Sequence, residues 1–196
     1  MQIQWQTNTT LTLKGKEYRV IINPVESTGD KPVISLKEND LLISTTNIQI
    51  PETKGYHING AGEYSYQGVT VRTQVIKQAD DAPKINLISL SVENMLLAVV
   101  CGITKELNPA ELEFIGSPDI LIISLNESFG SEKTVQLISA VEPRIVVPVY
   151  TTDAQLQALN SEYGVKQESQ NELMMKKAEL PFDSIEIKPL IPQIKS

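Results

Sequence analysis

The seven residues MLLAVVC, positions 95–101, include no polar side chain. A strand with one wet face alternates apolar and polar residues, so an unbroken apolar run needs cover on both faces. This stretch constrains the fold more than any other, because it demands a central strand with a packed layer on either side. Residues 119–125 (DILIISL) and 144–150 (RIVVPVY) have the same character. Helix signals fall between these runs. Asn108-Pro109-Ala110-Glu111 offers a cap residue, a proline at the first helical position and an acid in the first turn, predicting a short helix to about Gly116. Ser131 reads as the cap of a second helix with Val135, Ile138 and Val141 as its apolar face and Pro143 as its stop. Thr152-x-x-Gln155 is a capping box, followed by the apolar face Leu156, Leu159 and Tyr163 and the terminating Gly164.

The chain before residue 103 is β-rich. Leu11 and Leu13 alternate with Thr12 and Lys14, Gly15-Lys16 turns, and Tyr18, Val20 and Ile22 form the next alternating face. Residues 32–36 are predicted as a further short strand before Leu41, Leu42 and Ile43, which the polar tetrad Ser44, Thr45, Thr46, Asn47 follows at once. Gln67-Gly68 supplies a hairpin turn, with Val69, Val71 and Val75 expected on one face, and Glu93-Asn94 supplies another between 85–92 and 95–101. Residues 172–177 and 184–190 read as closing strands, and the tail from Ile191 is expected to fray. A β-rich part followed by alternating strand and helix favours a large mixed-sheet system with helices on its outer faces. The 196 residues, without a clean linker, suit one domain over 1–196.

The totals exclude several classes of function. The formal net charge is -7 and Lys176-Lys177 is the one adjacent basic pair, so the footprint for nucleic acid or anionic lipid is missing. No run approaches the 18 apolar residues of a membrane span, and MQIQWQTNTT is not a secretion signal. One cysteine, Cys101, allows no internal disulfide, and a cytoplasmic location is the default expectation.

Few residues carry chemistry. His57 is the sole histidine; it reads either as a base or ligand, or as a loop residue between Gly55 and Gly60 with no identifiable orienting partner. Cys101 ends a buried strand and reads as a small core hydrophobe rather than a reactive thiol. Glu63 and Asp119 are candidate acids, each more simply explained as ordering a loop. No nucleophile elbow, P-loop, Cys-x-x-Cys or His-Glu-x-x-His is present, and Gly60-Ala61-Gly62 precedes a hairpin rather than a helix.

Taken in order, several segments resemble the metallo-β-lactamase superfamily, in particular its small bacterial hydrolase-like branch. MQIQWQTNTTLTL is similar to the opening strand pair, with Thr7, Asn8, Thr9 and Thr10 where the family has Gly-His-Ser-Ser. VIINP resembles a strand ending in Asp-Pro, with Asn23 for the aspartate. INGAGEYSYQGVTV keeps Gly62, Glu63, Tyr64, Gly68 and Val69 of a Pro-Gly-Glu-Tyr-x-x-x-Gly-Val stretch. PDILIISL, EPRIVVPVY and LPFDSIEIKPL resemble the later strands. The resemblance implies an αββα sandwich, two mixed β-sheets with helices on the outer faces. It also implies a His-x-His-x-Asp-His motif after the LLIS strand. Here Thr45 and Asn47 match the first two histidines, Gln49 and Ile50 fall near the Asp-His pair, Ile103 replaces the bridging aspartate, and Tyr150 stands where a later histidine belongs. Asn8, Asn23, Thr45, Asn47, Ile103 and Tyr150 are thus expected to line a vestigial pocket.

A catalytic zinc site takes about three protein ligands, usually imidazoles. One histidine and one cysteine on separate segments cannot furnish such a cage, and neutral Thr and Asn oxygens suit hard cations only beside carboxylates. The expectation is therefore a metal-free, cofactor-free, non-catalytic relative that acts as a binding or assembly module, through a protein partner or by self-association. Two alternatives stay open: an ester or phosphoester hydrolase rebuilt around His57 or Glu63, and a small-molecule binder using the old cleft.

Overall fold

The computed structural model describes residues 1–25, 32–46, 54–58, 60–78, 83–164 and 168–194. Two mixed sheets pack face to face. The first runs, from edge to edge, β12 (Leu173–Met174), β1 (Gln2–Thr7), β2 (Thr10–Lys14), β3 (Arg19–Ile22), β4 (Asp40–Ile43) and β5 (Tyr56–Ile58). Its first three pairings are antiparallel; β3–β4 and β4–β5 are parallel. The second runs β13 (Glu186–Ile187), β11 (Ile145–Val149), β10 (Ile120–Ser124), β9 (Met95–Val100), β8 (Ile85–Val92), β7 (Val69–Ile76) and β6 (Gly62–Tyr66). There the β9–β10, β10–β11 and β11–β13 pairings are parallel and the rest antiparallel.

The run at 95–101 occupies the position its composition demands. Met95, Leu97, Val99 and Cys101 face the first sheet, while Ala98 and Val100 join the layer beneath the helices. β10 divides in the same way, Ile120 and Ile122 inward and Leu121 and Ile123 outward. Both hairpins turn through two residues of positive φ, Gln67-Gly68 at 49° and 78° and Glu93-Asn94 at 48° and 61°. These are the values that match the twist of the flanking strands.

Helices α1 (Pro109–Ile115), α2 (Ser131–Val141) and α3 (Asp153–Glu162) bury Ile115, Leu137, Ile138, Val141 and Leu159 against the second sheet. The first sheet's outer face carries no helix among the described residues. Instead Ile34 and Leu36 lie over Ile21, Val25 and Leu42. The expected sandwich is therefore present, with its helical layer on one face.

The structure departs locally from the sequence pattern: the closing strands expected at 172–177 and 184–190 shrink to Leu173–Met174 and Glu186–Ile187, with Lys177–Glu179 a 3-10 helix. Residues 32–36 form no strand; a single bridge, Val25 to Pro32, marks their entry, because Ile34 and Leu36 are used as a lid on the sheet rather than as part of it. Ser131 is the first helical residue of α2 and Gly130, at φ 81°, takes the cap position; the buried face is Thr134, Leu137, Ile138 and Val141. Val75 is exposed, since β7 there runs past Thr73, the last residue it pairs with β6. The tail does not fray over its described part: Gln193 and Ile194 donate to the carbonyls of Trp5 and Gln6.

Candidate functional site

The C-terminal ends of β3, β4, β9, β10 and β11 share one rim of the sandwich. Their parallel pairings align the strands within each sheet, and the bridge from Thr46 to Ile85 joins the two sheets there. Polar side chains just past strand ends at such a rim are where an α/β fold ordinarily builds its chemistry.

At this rim Asn23 and Thr45 come together. Asn23 adopts φ 52°, a left-handed conformation that asparagine tolerates better than most residues. That turn aims its amide back at the end of β4. Oδ1 accepts from the Thr45 backbone N–H at 2.7 Å, from Thr45 Oγ1 at 3.0 Å and from Ser44 Oγ at 3.5 Å. Nδ2 donates to the Thr9 carbonyl at 3.2 Å, and the Asn23 carbonyl accepts from Thr10 Oγ1 at 2.7 Å. Asn23 and Thr45 are 5% and 2% exposed, and each of their side-chain polar atoms has a hydrogen-bond partner. Asn86 then ties it to the second sheet, donating from its backbone N–H to the Thr45 carbonyl and from Nδ2 to the Ser44 carbonyl, both at 2.8 Å.

The turn after β9 is pinned as tightly. The Gly102 N–H donates to Ser124 Oγ at 2.8 Å, Asn126 Nδ2 donates to the Ile103 carbonyl at 3.0 Å, and Gln78 Oε1 accepts from the Thr104 N–H at 2.6 Å. The Ile103 side chain is fully buried in the layer under the helices, not in the space beside Thr45. Tyr150 lays its ring against Trp5, centroids 5.0 Å apart, with its hydroxyl 3.3 Å from Ser169 Oγ and from the Leu190 carbonyl. Asn8 is exposed at φ 43° and its carbonyl accepts from Trp5 Nε1 at 2.7 Å. Asn47, Gln49 and Ile50 lie outside the described residues. Of the predicted pocket, then, Asn23 and Thr45 share hydrogen bonds, Tyr150 and Asn8 flank Trp5, and Ile103 belongs to another layer.

The two candidate acid–base residues sit apart. His57 lies opposite Leu42, whose side chain is in the outer cluster of the first sheet. Glu63 lies opposite Arg72, whose guanidinium covers the Phe114 ring of α1 on the outside of the second sheet, 4.9 Å from its centroid. Strand pleat thus places His57 and Glu63 on opposite outer faces of the sandwich. Cys101 is wholly buried, and burial pushes its thiol up to about 12 against the opposing Ser124 hydrogen bonds. Asp119 accepts from Lys177 Nζ at 2.7 and 2.6 Å and from the Leu96 N–H at 2.9 Å, binding the C-terminal segment to the second sheet.

The sequence already puts the tetrad Ser44–Asn47 just past a strand end, where a pocket is built; Ser124 and Asn86 were missed as parts of this rim. The available signal at Asn86 was one polar residue opening the apolar run INLISL.

Residues 2–150 match the family model described as the beta-lactamase superfamily domain. A comparison with curated proteins gives no significant match. Among solved structures, a proposed Zn-dependent hydrolase of the metallo-β-lactamase superfamily from Thermotoga maritima superposes with a TM-score of 0.76 at 14% identity, covering 97% of this chain and 99% of that one. An isothiocyanate hydrolase from Delia radicum gut bacteria superposes at 0.64 with 11% identity, covering 90% and 99%. The metallo-β-lactamase fold protein YhfI from Bacillus subtilis superposes at 0.58 with 6% identity, covering 96% and 95%. At these identities the likeness is one of fold.

A zinc centre of the kind such a fold implies does not fit the residues present. Among the described residues no three His, Cys, Asp or Glu side chains gather to hold an ion. Asn23 Oδ1, the best-placed oxygen, already accepts from Thr45 and Ser44. Thr45 Oγ1 is neutral and donates its proton to Asn23, whereas zinc takes thiolate, imidazole or carboxylate.

Proposed function

We propose that this chain, which belongs to the beta-lactamase superfamily domain family, is a metal-free, non-catalytic member that serves as a binding or assembly module. The observation that carries this reading is the Asn23–Thr45 knot. A family that works through cations keeps charged oxygens and open coordination positions at this rim. This chain fills the place with a neutral amide whose oxygen accepts from three donors and whose nitrogen bonds the Thr9 carbonyl. A carboxylate held there without a cation is a buried charge met only by the Thr45 and Ser44 donors and set against the Thr9 carbonyl, at a cost of about 2 kcal/mol. Asparagine removes that cost and joins the strand ends.

The separation of His57 and Glu63 onto opposite faces supports the same reading over a rebuilt hydrolase. The net charge of -7 argues for a protein partner, or a second copy, rather than nucleic acid or an anionic membrane. No helix among the described residues is long and apolar enough to cross a membrane. One buried thiol and no disulfide suit a reducing bacterial cytoplasm.

Two measurements test the proposal together. A chelator added to the purified protein leaves its melting temperature unchanged, because no ion contributes to folding. A broad esterase and phosphodiesterase screen gives no turnover above the His57→Ala variant. A melting temperature that falls with chelator, or a turnover that His57→Ala abolishes, contradicts it.

A further inference from the structure

One outer face of the sandwich is acidic, and the other carries a small basic groove. Residues 103–164, which hold all three helices, contain nine acids and three bases, or six of the seven net negative charges. Glu111 and Asp119 are buried and paired, and Glu106 meets Lys133 at 3.5 Å. Glu113, Glu127, Glu132, Glu142, Asp153 and Glu162 are exposed, and no cation approaches them closely among the described residues. Like charges on one layer repel, and the layer gains from an opposite charge brought to it.

The opposite side of the molecule provides one. The first sheet's outer face is covered by Ile34 and Leu36 over β3 and β4, and among the described residues it is recessed over β1 and β2. A groove of about 390 Å³ lies there, with Gln2, Gln4, Thr12, Lys14, Arg19 and Lys37 in its wall. Strand register orders it: Gln2, Lys14 and Arg19 form one row across β1, β2 and β3, with Gln4 and Thr12 in the next. No acid lines it among the described residues. The neighbouring Asp40 is held by Arg19 Nε at 2.7 Å, and Glu172 at the far edge accepts from Gln2 and Gln4 at 2.5 and 3.0 Å. Lys14 and Lys37 are exposed with no carboxylate partner among the described residues. The adjoining groove adds Lys16 against Glu17, Glu38 and Asp40, so among the described residues here the unpaired positive charge is confined to Lys14 and Lys37.

We propose that this groove docks the acidic helical face of a second copy of the chain. The complementary surfaces lie on opposite sides of one sandwich, so the contact is head-to-tail and leaves a free groove at one end and a free helical face at the other. Such a contact repeats into a ring or a short filament rather than stopping at a two-fold dimer. Exposed charge pairs are screened within about 8 Å at physiological salt, so the association is weak and steeply salt-dependent. The inference rests on the assembly reading above and gives it a partner, but it stands or falls apart from the metal question.

Sedimentation velocity across a concentration series tests it, at low salt and at about 0.5 M salt. The wild type is expected to shift to larger species with concentration at low salt and to return to monomer at high salt. Lys14→Glu with Lys37→Glu, and separately Glu132→Lys with Asp153→Lys, should each weaken the association at least tenfold. Combining all four substitutions should restore it, a result that direct pairing of the two faces predicts and general charge effects do not. A wild type that stays monomeric at low salt, association indifferent to either reversal, or no recovery in the combined variant overturns the proposal. A metal-free monomer would sink this inference and leave the proposed function intact.

Discussion

Asn23 Oδ1 accepts both the backbone N–H and the hydroxyl of Thr45, at 2.7 and 3.0 Å, and so fastens the end of β3 to the end of β4. Thr45 in turn accepts from Asn86 on the second sheet. One neutral amide therefore stands at the junction of the two sheets, at the rim where the strand ends meet.

Asn23→Asp tests the neutrality of that junction. The variant places a carboxylate in a site 5% exposed and turns its second oxygen against the Thr9 carbonyl, which now receives a hydrogen bond from Nδ2. The loss of that bond and the repulsion in its place cost about 2 kcal/mol, or about 4–8 °C in melting temperature for a chain of this size. The buried carboxyl's pKa rises above its unfolded value, so the loss is present at neutral pH and diminishes as acid protonates it. Thermal melts at pH 7 and near pH 5 check both the size and the direction. Equal stability to the wild type at pH 7 would contradict the account of the knot.

Cys101 tests burial on the other side of the rim. Its folded thiol ionises at about 12, whereas an unfolded thiol does so near 8.5. Between those values the unfolded chain releases a proton that the folded chain keeps. Stability is thus unaffected below about pH 8.5 and falls as pH rises from there, by about 2 kcal/mol up to pH 10. Above about pH 10 Tyr18 adds to the slope, since burial and the adjacent Glu93 hold its hydroxyl protonated well beyond the usual range. Denaturant melts from pH 8 to 10 should show the slope in the wild type and lose it in Cys101→Ala. The native thiol should resist a disulfide labelling reagent until the chain unfolds; rapid labelling of the folded protein contradicts this placement.

Much of the architecture was legible because it follows from period and composition. MLLAVVC demanded cover on both faces and has it. Asn108-Pro109 and Thr152-x-x-Gln155 start α1 and α3 through local chemistry that needs no distant partner. What escaped depends on contacts far apart in sequence. Residues 32–36 look like a strand because Val33, Ile34 and Leu36 are apolar; whether such a segment joins a sheet or lies across it is decided by Ile21 and Leu42. Asn23 and Thr45 stood out through a family resemblance, and their bonds to Thr9 and Asn86 appear only once both sheets are assembled. Lys14, Arg19 and Lys37 look scattered along the chain and meet because β2 and β3 pair and the 32–37 segment folds back over them.

We propose that this rim runs on neutral hydrogen bonds rather than on a bound ion. Elemental analysis of the purified protein, expressed in medium supplemented with zinc, iron and manganese, tests it most directly. Far less than one equivalent of any transition metal per chain is expected, unchanged in Asn23→Ala. One equivalent or more, lost on substituting Asn23 or Thr45, would contradict it.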